Sequence, residues 1–217
     1  MISPAVSALA DAALLLPASI LLLLYLAVLR EWRLALALAA SFAGAAVATI
    51  LLKLIFNACG PGLANAEVVS PSGHVSFSTV FYAGLAILLS VGRGRVVQFA
   101  AGIAAALLLV AIGISRVRLG AHSIPEVLIG FTVGALAVGF FIWLSIREGL
   151  PHLPLAPVAG GFALTLVMLG GSQFSLERDI ALYARSLAAS LDVCALPPGY
   201  QPWDASGQAA TRAVEGA

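Results

Sequence analysis

Apolar residues run almost without interruption through six stretches of this chain, at about 5–29, 34–56, 74–92, 96–114, 123–145 and 155–171. Polar and charged side chains gather in the short segments between them. Each run approaches the roughly 20 residues that a helix needs to cross a bilayer core. Within the runs apolar positions follow one another instead of alternating with polar ones, which is the pattern of spanning helices and not of a β-barrel. The expected fold is therefore all-α, a polytopic membrane helix bundle with about six transmembrane helices in residues 1–171. Asp11 weakens the outer end of the first run, and the sixth run is short and rich in glycine. The first run has no positively charged leader and no clear cleavage site, so it reads as a retained span.

Beyond the last run the period changes. In SLERDIALYARSLAASL (175–191), Leu176, Ile180, Tyr183, Leu187 and Leu191 recur at helical spacing while Glu177, Arg178, Asp179 and Arg185 take other positions. Residues 172–196 thus read as a C-terminal amphipathic helix on the membrane or against the protein. Residues 197–217 are polar and rich in Pro, Gly and Ala, the composition of a mobile tail.

Orientation follows from the arginines. Arg30 and Arg33 separate the first two runs, Arg93 and Arg95 the third and fourth, and Arg147 the fifth and sixth. These connections fall on one side, which the positive-inside rule makes cytoplasmic. Both termini, the connection 57–73 and the stretch 115–122 then lie outside, in the periplasm if the chain sits in a bacterial inner membrane. Cys59 and Cys194 share that side, where an oxidising compartment permits a disulfide.

Composition narrows the classes further. The chain is 61% hydrophobic and only 10% charged, with a mean hydropathy of +1.06, so it cannot furnish the polar surface of a soluble domain of 217 residues. A net charge of +1, with no interleaving of basic and aromatic residues, excludes a nucleic-acid partner.

Against this background SRVRLGAHSIPE (115–126) stands out, because it crowds Arg116, Arg118, His122 and Glu126 between two apolar runs. Lys53 near the outer end of the second run and Ser72-Gly73-His74 at the start of the third come to the same face, since two intervening spans lead in and back. Each group suits a phosphate ester. Ser72 can cap the helix and Gly73 lets a ligand approach the backbone, where free N–H groups at a helix N-terminus bind anions. Lys53 and Arg116 add charge, the arginine with a two-pronged grip. His74 and His122 can divide the work of nucleophile and general acid. Glu126, four residues after His122, can fix its tautomer, and Ser123-x-x-Glu126 is equally a capping box.

PSGH (71–74) and SRVRLGAH (115–122) resemble the type 2 phosphatidic acid phosphatase superfamily, which includes the vanadium haloperoxidases. Its pattern is KxxxxxxRP, then PSGH, then SRxxxxxHxxxD. The motifs cover residues 50–130, and the architecture extends over 34–171. The resemblance implies that His122 is a nucleophile forming a phosphohistidine and His74 the general acid. It places Lys53, Ser72, Gly73 and Arg116 on phosphate and calls for no metal or organic cofactor.

Two departures are visible. Gly60-Pro61 stands where the family has Arg-Pro, and Arg118 is a candidate to compensate. Glu126 replaces Asp, with the same charge on a longer stem. The leading reading is a membrane phosphatase acting on a lipid phosphate, whose apolar tail stays among the membrane lipids. Competing readings are a lipid-phosphate binder without turnover, a phosphotransferase using the same residues, and a transporter. The last is disfavoured because the charges collect at one membrane face and not at the midplane.

Overall fold

Helices α1 (Ile2–Ala8), α2 (Ala12–Val28), α3 (Trp32–Leu63), α4 (Gly73–Ser90), α5 (Arg95–Arg118), α6 (Ile124–Ser145) and α7 (Leu155–Leu169) follow one another, with no strand among the described residues. The computed structural model describes residues 2–63, 70–145 and 153–169, together with Ile180, Leu182, Tyr183 and Ser186. Among the described residues, five stretches are long and apolar enough to cross a membrane, namely Ala5–Val28, Trp32–Asn57, Gly73–Ser90, Arg95–Arg118 and Ile124–Ser145. The all-α membrane bundle expected from the apolar runs is the fold observed. The sixth run forms α7, whose 15 residues span about 22 Å, short of a bilayer core of about 30 Å.

Several boundaries differ from those that hydropathy suggests. The first run is two helices and not one. Asp11, whose charge only appeared to weaken the span, is the N-cap of α2, and its carboxylate accepts the Ala13 N–H at 2.9 Å. The acid therefore satisfies an orphan donor at the point where the chain turns. In α3 the apolar span ends at Asn57, yet the helix continues to Leu63, so the first part of the connection expected at 57–73 is helical. Hydropathy marks where lipid ends, whereas a helix ends where its hydrogen bonding ends. Residues 64–69, the rest of that connection, lie outside the described residues, as do Cys194 and the side chain of Cys59. The amphipathic helix and tail also fall there, apart from Ile180, Leu182, Tyr183 and Ser186, which are helical.

The centre of the bundle is α4, held against α6 by two glycines. A Cβ at Gly130 would stand 2.6 Å from the Ser72 carbonyl oxygen, and one at Gly134 only 2.5 Å from the Thr79 Cβ. Small residues allow backbones to approach this closely where no hydrophobic effect drives helices together. On another side Phe81 and Tyr82 of α4 meet Phe162 of α7, with ring centroids 5.9 and 6.2 Å away. At the end where α4 leads into α5, the Arg93 guanidinium donates to the Leu153 carbonyl at 3.0 Å. The α4–α5 connection and the start of α7 thus share one end. The starts of α4 and α6 and the end of α5 share the other.

Candidate active site

The segment SRVRLGAH folds as a helix end. Gly120 has φ +67°, its N–H donates to the Val117 carbonyl at 3.0 Å, and the Ala121 N–H donates to the Arg116 carbonyl at 3.1 Å. This is a Schellman motif, in which a residue of left-handed backbone closes the helix. Glycine at 120 supplies that backbone without strain. Arg116 and Arg118 therefore belong to the last turn of α5 and not to a loop, where cations complement the helix dipole. They follow one another by two residues, about 200° around the helix. Arg116 is half-buried, whereas Arg118 is exposed and is not brought to the cluster below.

After the turn, His122 precedes α6. Ser123 and Glu126 form a reciprocal capping box, in which the Ser123 N–H donates to Glu126 Oε2 at 3.0 Å and the Glu126 N–H meets Ser123 Oγ at 3.5 Å. The same carboxylate oxygen lies 3.0 Å from His122 Nδ1. Its other oxygen, Oε1, accepts the Ser70 N–H at 2.6 Å. Capping and histidine orientation are thus not alternatives for Glu126, since one buried carboxylate does both and also holds Ser70, the residue just before PSGH. An ionised carboxylate only accepts, so Nδ1 of His122 carries the hydrogen and a neutral ring presents its Nε2 lone pair elsewhere.

The PSGH segment docks on this centre. The Ser72 N–H donates to the Glu126 carbonyl at 3.2 Å. Ser72 is fully buried and is the N-cap of α4, its Oγ facing the Val75 N–H at 3.5 Å. Gly73 and half-buried His74 are the first residues of the helix, where N–H groups lack intrahelical acceptors. A Cβ at Gly73 would meet the Lys53 Cε and Thr49 Cγ2 at 3.7 Å, ordinary contact distance. Internal packing therefore does not demand glycine there. A ligand pressed onto the backbone would.

Lys53 completes the arrangement from α3. It is buried, and its ammonium donates to Ser70 Oγ at 2.8 Å. A continuous chain of contacts thus runs from Lys53 through Ser70 and Glu126 to His122 and joins α3, the start of α4 and the start of α6. On α3, Gly60 lies seven residues beyond Lys53, close to two turns, so it stands on nearly the same face. One turn above Lys53, Asn57 occupies that face. Its Nδ2 donates to the Lys53 carbonyl at 2.8 Å, and its buried Oδ1 has no hydrogen-bond partner among the described residues.

Sequence reading had missed three further contributors. Ser70 opens SPSGH and could have been noticed there. Thr49, one turn before Lys53, donates to Ser76 Oγ at 3.2 Å and stitches α3 to α4. Ser7 in α1 accepts from Arg116 NH1 at 2.9 Å, across 109 positions of sequence that carry no signal of it.

Comparison with known proteins gives the chain its family. The model of the family described as the PAP2 superfamily matches residues 30–149. A Klebsiella pneumoniae protein, described as an uncharacterized 22.5 kDa protein in cps region, is 31% identical over 120 residues. That alignment covers 54% of this chain and 57% of the relative, so the chain spans little more than half of the protein it matches. No solved structure matches the chain.

Proposed function

Because the chain belongs to the PAP2 superfamily, whose members are generally phosphoesterases acting at the family level on lipid phosphates, we propose that it is an integral membrane phosphatase that cleaves a lipid phosphate monoester or diphosphate through a phosphohistidine. The observation that carries this reading is the Glu126–His122 pair at the start of α6, with the Glu126 side chain and backbone both bonded to the segment that opens α4.

In the first step His122 Nε2 attacks phosphorus. The bond from phosphorus to the lipid oxygen breaks, and His74 gives that oxygen a proton, so the lipid leaves as an alcohol, or as a monophosphate from a diphosphate. In the second step water attacks the phosphohistidine. His74 takes the water's proton, the N–P bond breaks, and inorganic phosphate leaves with both histidines restored. Lys53, Arg116 and the N–H groups of Ser72, Gly73 and His74 surround the place where negative charge builds up on the phosphoryl oxygens. Charge-assisted donors in a site screened from water are the largest single source of such stabilisation.

The site lies at one end of the bundle, so only the headgroup leaves the interface while the lipid tail stays among its neighbours. By the arginine distribution that end is the outer one, with both termini on the same side. Lipid phosphates of the cell envelope fit this placement.

The test is phosphate release by the purified protein from a panel of lipid phosphates in detergent, with EDTA present, beside His122→Ala. The reading expects release that survives chelation and falls by roughly three orders of magnitude or more in the variant. Phosphate transferred to a second lipid with none released would make the chain a phosphotransferase. Tight lipid-phosphate binding with no turnover would make it a binder, and Gly60→Arg would then be the change to restore activity.

A further inference from the structure

Helix α1 lies outside residues 30–149, the part of the chain that the family model matches. It is nonetheless built against the outer end of α5. The Tyr82 hydroxyl of α4 donates to the Leu9 carbonyl at 2.7 Å, just after α1, and the Asp11 cap turns the chain into α2. Held in this way, α1 buries Ser7 and sets its hydroxyl oxygen 2.9 Å from NH1 of Arg116.

We propose that Ser7 is a positioning residue for the phosphate site, acting through Arg116, and this rests on the phosphatase reading above. Two physical points carry it. Arginine has a long side chain with considerable rotamer freedom, and its value on phosphate depends on holding a planar fork in one orientation. One fixed amino group sets that plane, and with five N–H donors the guanidinium can hold Ser7 and reach a phosphate together. Orientation also matters more here than in a site with two arginines. Gly60 stands where the family pattern has its other arginine, so the bidentate grip falls on Arg116 alone. A segment outside the family core thus steadies the one motif arginine that remains.

The experiment measures the affinity of orthovanadate, a phosphate analogue, together with KM and kcat for the best lipid substrate. The proteins are the full-length wild type, Ser7→Ala, Ser7→Thr, Arg116→Ala and the Ser7→Ala/Arg116→Ala double variant. Loss of the hydroxyl is expected to weaken vanadate binding and raise KM by roughly five- to thirty-fold, with kcat changed less. Ser7→Thr, which keeps the hydroxyl, is expected to retain most of the wild-type affinity. In the double variant the loss should not exceed that of Arg116→Ala alone, the signature of residues acting as one unit.

Two results overturn the inference while leaving the phosphatase reading intact. One is wild-type vanadate affinity in Ser7→Ala. The other is a Ser7→Ala loss that persists in full on the Arg116→Ala background, which would mean that Ser7 merely anchors α1. A wild-type chain that neither binds orthovanadate nor releases phosphate overturns the phosphatase reading and the inference together.

Discussion

Helices α4 and α5 run side by side, yet they meet their surroundings in opposite ways. The α4 span has a mean hydropathy of 1.4 and is 56% buried, whereas the α5 span reaches 2.4 and is only 17% buried. The less apolar helix is the inner one. A water-soluble protein would reverse this order, because water rewards apolar groups for leaving the surface. Lipid does not, so apolar side chains such as Val96, Phe99 and Leu107 of α5 lie exposed on its outside. Hydroxyls turn inward instead. Ser76, Ser78 and Thr79 of α4 are buried, Ser78 and Thr79 donating to the Val75 carbonyl and Ser76 taking a hydrogen bond from Thr49. The inner helix opens on the candidate site, and the outer one approaches it only in its last turn.

The contrast can be broken most severely where α4 meets α6. The Glu126 carboxylate bonds to His122 and to the Ser70 N–H just before PSGH, so Glu126→Gln, which keeps the shape, should lower phosphate release by roughly 10²- to 10⁴-fold, as loss of charge on the acid behind a catalytic histidine does. An activity within threefold of wild type would show that the carboxylate serves only as a cap. A smaller effect, and one on stability first, is expected from Gly134→Ala. The added Cβ would meet Ser76 and Thr79 at less than 3 Å, and overpacking of this kind costs about 1–3 kcal/mol. Thermal unfolding in detergent should register that loss, while Gly139→Ala on the same helix, with nothing among the described residues within 4 Å of the added Cβ, should unfold like the wild type.

The comparison is sharpened by changes that ought to do little. On α5, Leu107→Ala removes apolar surface exposed by 66% and should alter stability by less than about 0.5 kcal/mol. Arg118→Ala, on the exposed side of the same helix end, should leave phosphate release nearly intact. A loss matching that of Arg116→Ala would instead restore Arg118 as the substitute for the missing motif arginine.

Much of this was legible from residues alone. PSGH and SRVRLGAH announced the family because their residue types and spacing are tightly restricted, and uninterrupted apolar runs announced the spans because lipid tolerates little else. Ends of helices were harder to read. Asp11 looked like a flaw in a span and is a cap, and 57–63 looked like a loop because its residues are less apolar, although its backbone stays helical. Arg118, a candidate to replace the missing motif arginine, shares one helical turn with Arg116, and a separation of two residues points the two apart.

What the sequence determined by itself was the class of environment, the helices and the family, since each depends on composition and short spacing along one segment. Tertiary structure alone decided the partners. Ser70 lies 56 positions from Glu126 and Ser7 lies 109 from Arg116, and nothing in either local segment specifies the other. Those contacts exist because the glycines of α6 let α4 approach at backbone distance and because the capped turn at Asp11 brings α1 to the end of α5. They are consequences of packing between distant segments, and a reading along the chain does not contain them.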